Sequence, residues 1–441
     1  MATAEQVIAL SSIEQFLNDD NDFLIVRGAA GTGKTSIMKA VADFIASKKD
    51  CDFELLAPTG RAAKNIAKKA NYEASTLHSH LYLVDADFEK AIVRFLPKPN
   101  KEEAMMVYIV DESSMISNRL EKKSADFETA NPLLADLIRF VRSGNDKNKI
   151  IFVGDNCQLP PIGYYNNELS PALSVKELSS AFKINGTMIE LSMVMRQQEN
   201  SYILKSAYAV RDCVLNPTKT FTDAIGQRVY HQTHAIDTYL NYYQPLNFES
   251  VAIVSLSNKY INECNTLIRC KLGQTGILSK GDRVVVNQNY ISHRGFVANG
   301  ETGVVINTGR KQKIADLNFM EVEVLFKDIA NHNFTITTQV VLDMLQAPES
   351  VTSEKKCALF AAAMKNNRTF RNSKDIRDDE FLSAMQLSYG HAFTCHKAQG
   401  SEWDTVIMNT WMPPTPDYRF LYTGITRARK NLFSNNAHIR R

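Results

Sequence analysis

"DFLIVRGAAGTGKTS", residues 22–36, carries the fold decision: an apolar run ends in glycine, small residues follow, and a helical pattern begins at Lys34. Gly28-Ala29-Ala30-Gly31-Thr32-Gly33-Lys34-Thr35 fits G-x-x-x-x-G-K-[ST] between a strand and a helix, the context that this motif requires. Small side chains let backbone N–H groups wrap a β-phosphate, and the helix start adds positive potential. Lys34 is expected to reach the β- and γ-phosphates. Thr35 is expected to ligate Mg2+, with Ser36 beside it at the nucleotide.

Outward from this loop, the chain alternates strand-like and helix-like segments. "FELLAP" (53–58), "MMVYIVDE" (105–112) and "NKIIFVGD" (148–155) are continuous apolar runs separated by helical patterns. Such runs predict a parallel sheet buried on both faces. A second unit of the same kind begins near "TMIELSMVMRQ" (187–197) and continues through "SVAIVSLSNKYINECNTLIR" (250–269). The fold class is therefore α/β. The expected divisions are a first ATPase domain over 1–186, a second domain over 187–275, and its completion over 384–441. Between the two parts of the second domain, residues 276–383 are expected to hold a small SH3-like β-barrel. Its short, β-rich stretches are "GDRVVVNQN", "GETGVVIN", "FMEVEVLF" and "NFTITTQVV". Residues 353–380 are charged and read as helical or loose.

Asp111 and Glu112 end a buried strand, which places them at the carboxyl edge of the sheet, opposite the phosphate loop. One carboxylate, Asp111, is the expected metal partner, and Glu112 the base that orients and deprotonates the attacking water. The stretch "DESS" would also cap a helix well, so an acidic N-cap is the structural alternative. In "VGDNCQLPPIG" (153–163), Gln158 is uncharged and able to bond both a γ-phosphate and the attacking water.

Composition sets the bounds. The chain has 441 residues, 44% hydrophobic and 22% charged, as in a soluble globular protein. At roughly 150 residues per domain, about three domains are expected. No apolar stretch reaches the roughly 18 residues of a membrane span, and the first residues lack a secretory pattern. The seven cysteines are scattered and show no metal spacing, which fits reduced thiols in a cytoplasmic protein. A net charge of +3 leaves any nucleic-acid partner dependent on a local basic groove.

Taken in order, "GAAGTGKTS", "LLAPTGRAAK", "STLHSHL", "VDESSM", "VGDNCQLPPIG", "MRQ", "HKAQGSEWD" and "LYTGITRARKNL" resemble the motifs of superfamily 1 DNA helicases. The likeness is to subclass B, with its RecD-like, Pif-type and phage Dda-like members, and it spans nearly the whole chain. The resemblance implies two RecA-like domains with ATP in the cleft between them. It implies an ATP-dependent helicase that moves 5′ to 3′ on single-stranded DNA, engages single-strand/duplex junctions, and acts as a monomer in a bacterial or phage-infected cell. Gln6 looks like the family's adenine reader. Arg196 and Arg427 resemble the two arginines that reach the γ-phosphate from the second domain, and Arg429 reads as a solvated helix charge. Gly400 and Glu402 lie where the nucleotide is joined to the DNA track. Thr59, Arg61, His78, Thr394, His396 and Lys397 are the implied DNA contacts. Met195 stands where many relatives carry an aromatic residue.

Residues 81–104 interrupt the α/β order. "AIVRFLPKPNK" suits a small hairpin closed by prolines. Phe95 is the candidate for stacking on a terminal base pair, with Arg94 and Lys98 on the adjacent phosphates; its alternative is a ring packed on the first domain. Two rival functions remain at this stage. One is a single-strand-stimulated ATPase or translocase that does not separate strands. The other is a phosphate-loop kinase or nucleotide switch, which has no need of the second unit.

Overall fold

The computed structural model describes residues 4–48, 50–87, 92–120, 127–128, 130–164, 168–192, 202–221, 223–413 and 416–435. Helix α1 (Ala4–Asn18) precedes β1 (Phe23–Gly28), the phosphate-loop turn and α2 (Lys34–Ala46). The chain continues through β2 (Cys51–Ala57), α3 (Gly60–Ala70), β3 (Ser75–Thr76) and a short α4 (Leu77–Leu81). Strands β4 (Tyr82–Asp87) and β5 (Ile92–Pro97) then form the inserted antiparallel hairpin, joined on one side by β7 (Phe127–Glu128). The main sheet resumes with β6 (Met105–Val110), α5 (Leu133–Ser143), β8 (Lys149–Gly154), α6 (Val175–Phe182) and β9 (Gly186–Leu191).

The first sheet has the order β3-β2-β6-β8-β1-β9, and its pairs are parallel. Its inner strands β1, β6 and β8 are buried on both faces, and period-2 alternation splits each run between two cores. Phe23 and Ile25 pack with Leu134, Leu137 and Phe152. Leu24 and Val26 pack on the other face with Ile37, Val41 and Phe16. The expected start of the second domain at 187 needs correction. The segment that opens it, β9, pairs with β1 along its whole length and completes the first sheet, so the chain crosses over only after Leu191. An apolar run signals a strand but not the sheet it joins.

In the second unit, α7 (Tyr202–Leu215), β10 (Gln227–Arg228), α8 (Gln232–Tyr242), β11 (Val251–Ser255) and α9 (Asn258–Lys271) lead to the insertion. The insertion comprises β12 (Arg283–Val286), the hairpin β13 (Tyr290–Ser292) and β14 (Gly295–Val297), and the long strands β15 (Thr302–Ile314), β16 (Leu317–Lys327) and β17 (Asn333–Val341). Helices α10 (Asp343–Gln346), α11 (Ser353–Asn366) and α12 (Arg368–Ser373) follow, then β18 (Leu387–Tyr389). The five-stranded sheet runs β17-β16-β15-β12-β18, antiparallel throughout. A parallel bridge from Val340 to Met385, just before β18, brings its two edges together. The insertion therefore ends at Tyr389 rather than at residue 383, because its fifth strand comes from the segment that the sequence pattern assigned to the second α/β core.

That core is completed by β19 (Ala392–Thr394), α13 (Cys395–Ala398), β20 (Trp403–Met408), α14 (Tyr418–Ile425) and β21 (Ala428–Ser434). Its parallel sheet has the order β10-β21-β20-β11-β19. Val254, Val406 and Met408 face α7 and α14 on one side. Val251, Ile253 and Ile407 face α8 and α9 on the other. Among the described residues, no helix is long and apolar enough to cross a membrane.

Candidate nucleotide site between the two units

Because β6, β8 and β1 are adjacent and parallel, their carboxyl ends present three loops side by side. These are Asp111-Glu112, Asp155–Pro161 and the phosphate loop. In the last, Gly31 and Gly33 adopt φ 86° and 83°, a left-handed conformation open to glycine at no steric cost. Lys34 Nζ donates to Gly28 O at 2.7 Å and Ala29 O at 3.1 Å, so its ammonium lies across the loop. Thr35 follows in the first turn of α2, and Ser36 beside it is exposed.

Glu112 sits at φ 49°, ψ 37° and makes no side-chain capping bond, although a short 3-10 helix begins at Ser113. The N-cap alternative therefore fails. A non-glycine residue held in this region at a sheet edge is strained, and such strain concentrates at functional sites. Asp111 keeps some solvent exposure, yet desolvation, with the neighbouring Glu112 charge second, pushes its carboxyl up to about 7. Among the described residues it forms no ion pair. The desolvated Asp111 carboxyl and the Thr35 hydroxyl are hard oxygen donors of the kind that Mg2+ takes.

The third loop is gripped from the second unit. Leu159 N donates to Thr423 Oγ1 at 2.9 Å, and Gln399 Nε2 donates to Leu159 O at 2.8 Å. Cys157 and Leu159 are buried in the core around α7 and α14. Gln158 is buried, and its Oε1 has no hydrogen-bond partner among the described residues. A buried acceptor without a partner calls for an explanation in function or in solvent.

Arg427, expected to reach the γ-phosphate from the second domain, makes its hydrogen bonds here within its own unit. It is buried and donates to Thr423 O at 3.0 Å, Ser401 O at 3.2 Å and Thr426 Oγ1 at 3.0 Å. It follows the last turn of α14, where unpaired carbonyls collect a cation. The α14 side chain that reaches the phosphate loop is Tyr422, whose hydroxyl accepts from Ala30 N at 2.9 Å. Tyr422 also donates to Asp155 Oδ2 at 2.5 Å, and Arg211 Nη1 donates to Asp155 Oδ1 at 2.5 Å. These three residues escaped the sequence reading. Tyr422 and Asp155 stand inside motifs already singled out, but Arg211 carries no local signal. Arg429 is likewise not a solvated helix charge. It lies on β21 and pairs with Glu249 at 2.6 Å and Asp404 at 3.0 Å. Arg196 and Met195 lie outside the described residues, as do the side chains of Gln6 and Arg94.

The expected DNA contacts fall into two groups. Thr59 caps α3, its Oγ1 accepting from Ala62 N at 3.2 Å. Arg61 lies 4.9 Å from the Trp403 ring, across the interface. Asn65 donates to Gly400 O at 2.6 Å, and Lys69 pairs with Glu402 at 3.4 Å, so the turn at 400–402 is seated on α3. Lys64 pairs with Glu301 of the insertion at 2.9 Å. Gly60 approaches the insertion so closely that a Cβ there would lie 2.4 Å from Ala298 Cβ. A cavity of about 290 Å3 opens at this three-way junction, lined by Arg61, Lys64, Lys68 and Lys327 among others. Thr394 caps α13, placing the half-buried His396 and the exposed Lys397 on the same edge.

His78 and Phe95 form the second group. Phe95 is half-buried, with its ring 5.5 Å from Tyr82 and 5.6 Å from His78. It packs against the first core, so it is no free stacking platform. The hairpin itself is present, but its alternation turns Phe95 inward at the root. Lys98, at the same root, donates to Ser79 O at 2.6 Å.

Two parallel α/β sheets that enclose a phosphate loop at their interface define a phosphate-loop NTPase built from paired RecA-like units. A family profile described as an AAA domain matches residues 2–212, and one described as a UvrD-like helicase C-terminal domain matches residues 389–433. The RecBCD enzyme subunit RecD of Buchnera aphidicola subsp. Schizaphis graminum is 23% identical, over 96% of this chain and 72% of that protein. The ATP-dependent DNA helicase dda of Enterobacteria phage T4 is 24% identical, over 98% of each. Among solved structures, the Pif1 helicase from Candida albicans matches with a TM-score of 0.52 and 17% identity, over 100% of this chain and 95% of that one. Bacteroides Pif1 in complex with ADP-AlF3 and ssDNA matches at 0.50 and 16%, over 99% and 92%. Over nearly its whole length the chain is similar to superfamily 1B helicases.

Proposed function

We propose that this protein is an ATP-dependent DNA helicase that translocates 5′ to 3′ on single-stranded DNA and separates the duplex ahead of it. The observation that carries this reading is the contact of α14 from the second unit with Ala30 of the phosphate loop. A nucleotide site completed by another domain ties hydrolysis to domain closure, and a kinase or a nucleotide switch has no use for that arrangement. The full-length match to a protein named an ATP-dependent DNA helicase supports the same reading, and the family likeness supplies the direction.

In this mechanism the phosphate-loop amides and Lys34 hold the triphosphate. Thr35 and Asp111 would hold Mg2+, which would supply charge neutralisation of the phosphates. Glu112 orients the attacking water and takes its proton. Gln158, seated between the units, bonds the γ-phosphate or that water. The DNA lies against the capped starts of α3 and α13, where Thr59, Arg61, Thr394, His396 and Lys397 supply phosphate contacts that position a strand without reading its sequence. The substrate is a single-strand/duplex junction, and the protein acts as a monomer in the cytoplasm of a bacterial or phage-infected cell.

ATPase measured with and without a single-stranded oligonucleotide is the first test. Stimulation is expected, with Lys34→Ala and Glu112→Gln each lowering turnover by roughly 10²-fold or more. Substrates tailed at the 5′ or the 3′ end test direction. A rate indifferent to DNA would support the switch reading, and unwinding of the 3′-tailed substrate alone would sink the 5′-to-3′ assignment.

A further inference from the structure

Tyr422 is 1% exposed, and both hydrogen-bonding directions of its hydroxyl are assigned. Asp155 is fully buried and paired with Arg211 at 2.5 Å, and a carboxylate in an ion pair accepts hydrogen bonds. The phenol proton therefore points to Asp155 Oδ2, and the phenol oxygen accepts from Ala30 N. Asp155 Oδ1 takes Arg211 Nη1 and also Cys157 N, the latter at 3.1 Å. The network thus joins the phosphate loop, the loop that carries Gln158, and two helices of the second unit, α7 and α14. Gln158 N donates to Asp155 O at 3.1 Å, so any displacement of Asp155 moves the base of Gln158 with it.

We infer that Tyr422 is a positioning residue that locks the Gln158 loop to the phosphate loop when the two units close. This rests on the ATPase reading above and deepens it. The lock fixes the base of Gln158, whose buried Oε1 has no partner among the described residues. The backbone of its loop is held from Asp155 on one side and from Thr423 and Gln399 on the other. Through Asp155 and Tyr422 the loop that carries this acceptor is tied to the phosphate loop, and a loop so fixed is preorganised to present the amide to an attacking water. Without the Tyr422 hydroxyl, Ala30 N and Asp155 Oδ2 both lose their partner in the closed state, and closure no longer aligns the two loops.

The test uses the full chain with saturating single-stranded DNA and compares wild type, Tyr422→Phe, Asp155→Asn and the double variant. The wild-type rate comes first: without DNA-stimulated ATPase, the parent reading fails before any variant is compared. Given that stimulation, Tyr422→Phe is expected to lower kcat about tenfold, with KM for ATP within about twofold. Its ratio of DNA-stimulated to DNA-free rate should fall towards one. The double variant should be no slower than Asp155→Asn alone, because residues of one network do not add. An unchanged kcat in Tyr422→Phe, a change confined to KM, or losses that multiply in the double variant would each overturn the lock. So would a melting temperature lowered by more than about 5 °C in Tyr422→Phe, which would make the hydroxyl a structural strut.

Discussion

Replacing Asp282 by alanine should unseat the insertion from the second unit. Asp282 immediately precedes β12 and is fully buried. Its carboxylate accepts from Arg269 Nε at 2.6 Å, Arg269 Nη2 at 2.9 Å and Ser279 N at 2.7 Å. Arg269, in the last turn of α9, also donates to Gly276 O at 2.6 Å and lies 4.2 Å from the Tyr389 ring of β18. The clamp therefore stands where the chain leaves the second unit for the insertion and where it returns. Burial raises the Asp282 carboxyl above its ordinary range in spite of Arg269, so the pair as a whole adds little net stability. Removing one member is a different matter, because it strands a buried guanidinium. That costs about 3–5 kcal/mol, and the partners left at Gly276 and Tyr389 put the expectation near the lower end. Both tryptophans, Trp403 and Trp411, lie in the second unit, so intrinsic fluorescence in urea reports on that unit. At a slope of about 1–3 kcal/mol per molar, the midpoint should fall by about 1 M or more. Asp282→Leu combined with Arg269→Met should return most of the loss, since an apolar pair strands no charge. A fall below about 0.3 M for Asp282→Ala, or a double variant as unstable as the single, would refute the reasoning. Loosening this clamp should also weaken binding of single-stranded DNA, because the insertion covers the start of α3 through Lys64, Glu301 and Ala298.

Arg427→Ala should lower the melting temperature along with turnover, because three buried bonds are lost; an unchanged melting curve with kcat alone reduced would return Arg427 to the role of a free arginine finger. Phe95→Ala should cost about 1.5–2.5 kcal/mol, half the usual penalty for a buried ring, and should reduce ATPase and unwinding together. Loss of unwinding alone, with stability and ATPase intact, would instead show Phe95 at the fork. Burial, with Lys98 adding to it, holds His80 down to about 4. The folded state therefore keeps His80 neutral while the unfolded chain protonates it near 6.5, and stability is lost as pH falls from about 6.5 to about 4, by at most about 1.4 kcal/mol per unit. Between pH 7 and pH 5 the melting temperature of His80→Gln should fall less steeply than that of wild type; parallel curves would rule this out.

Local sequence settled whatever depends on neighbours along the chain. The run 23–28 is apolar on both faces, so it is an interior parallel strand, and the small residues after it allow the left-handed turns at Gly31 and Gly33. Asp111, Glu112 and Gln158 follow strands of the same type, and strands that share a direction bring their ends to one edge. The tertiary structure decided which sheet a strand joins and which side chain crosses an interface. β9 looks like the opening of a second unit, but hydrogen bonding to β1 places it in the first. Tyr422 and Arg427 are five residues apart in one motif, the first on α14 and the second just past its end. The rotation of α14 against the other unit directs the phenol to Ala30 and leaves the guanidinium to its own carbonyls. Arg211, more than fifty residues from Asp155, has no sequence signature because its partner exists only once two separately folded sheets have met. A motif fixes the chemistry that a segment can offer, and packing between distant segments fixes which atom delivers it.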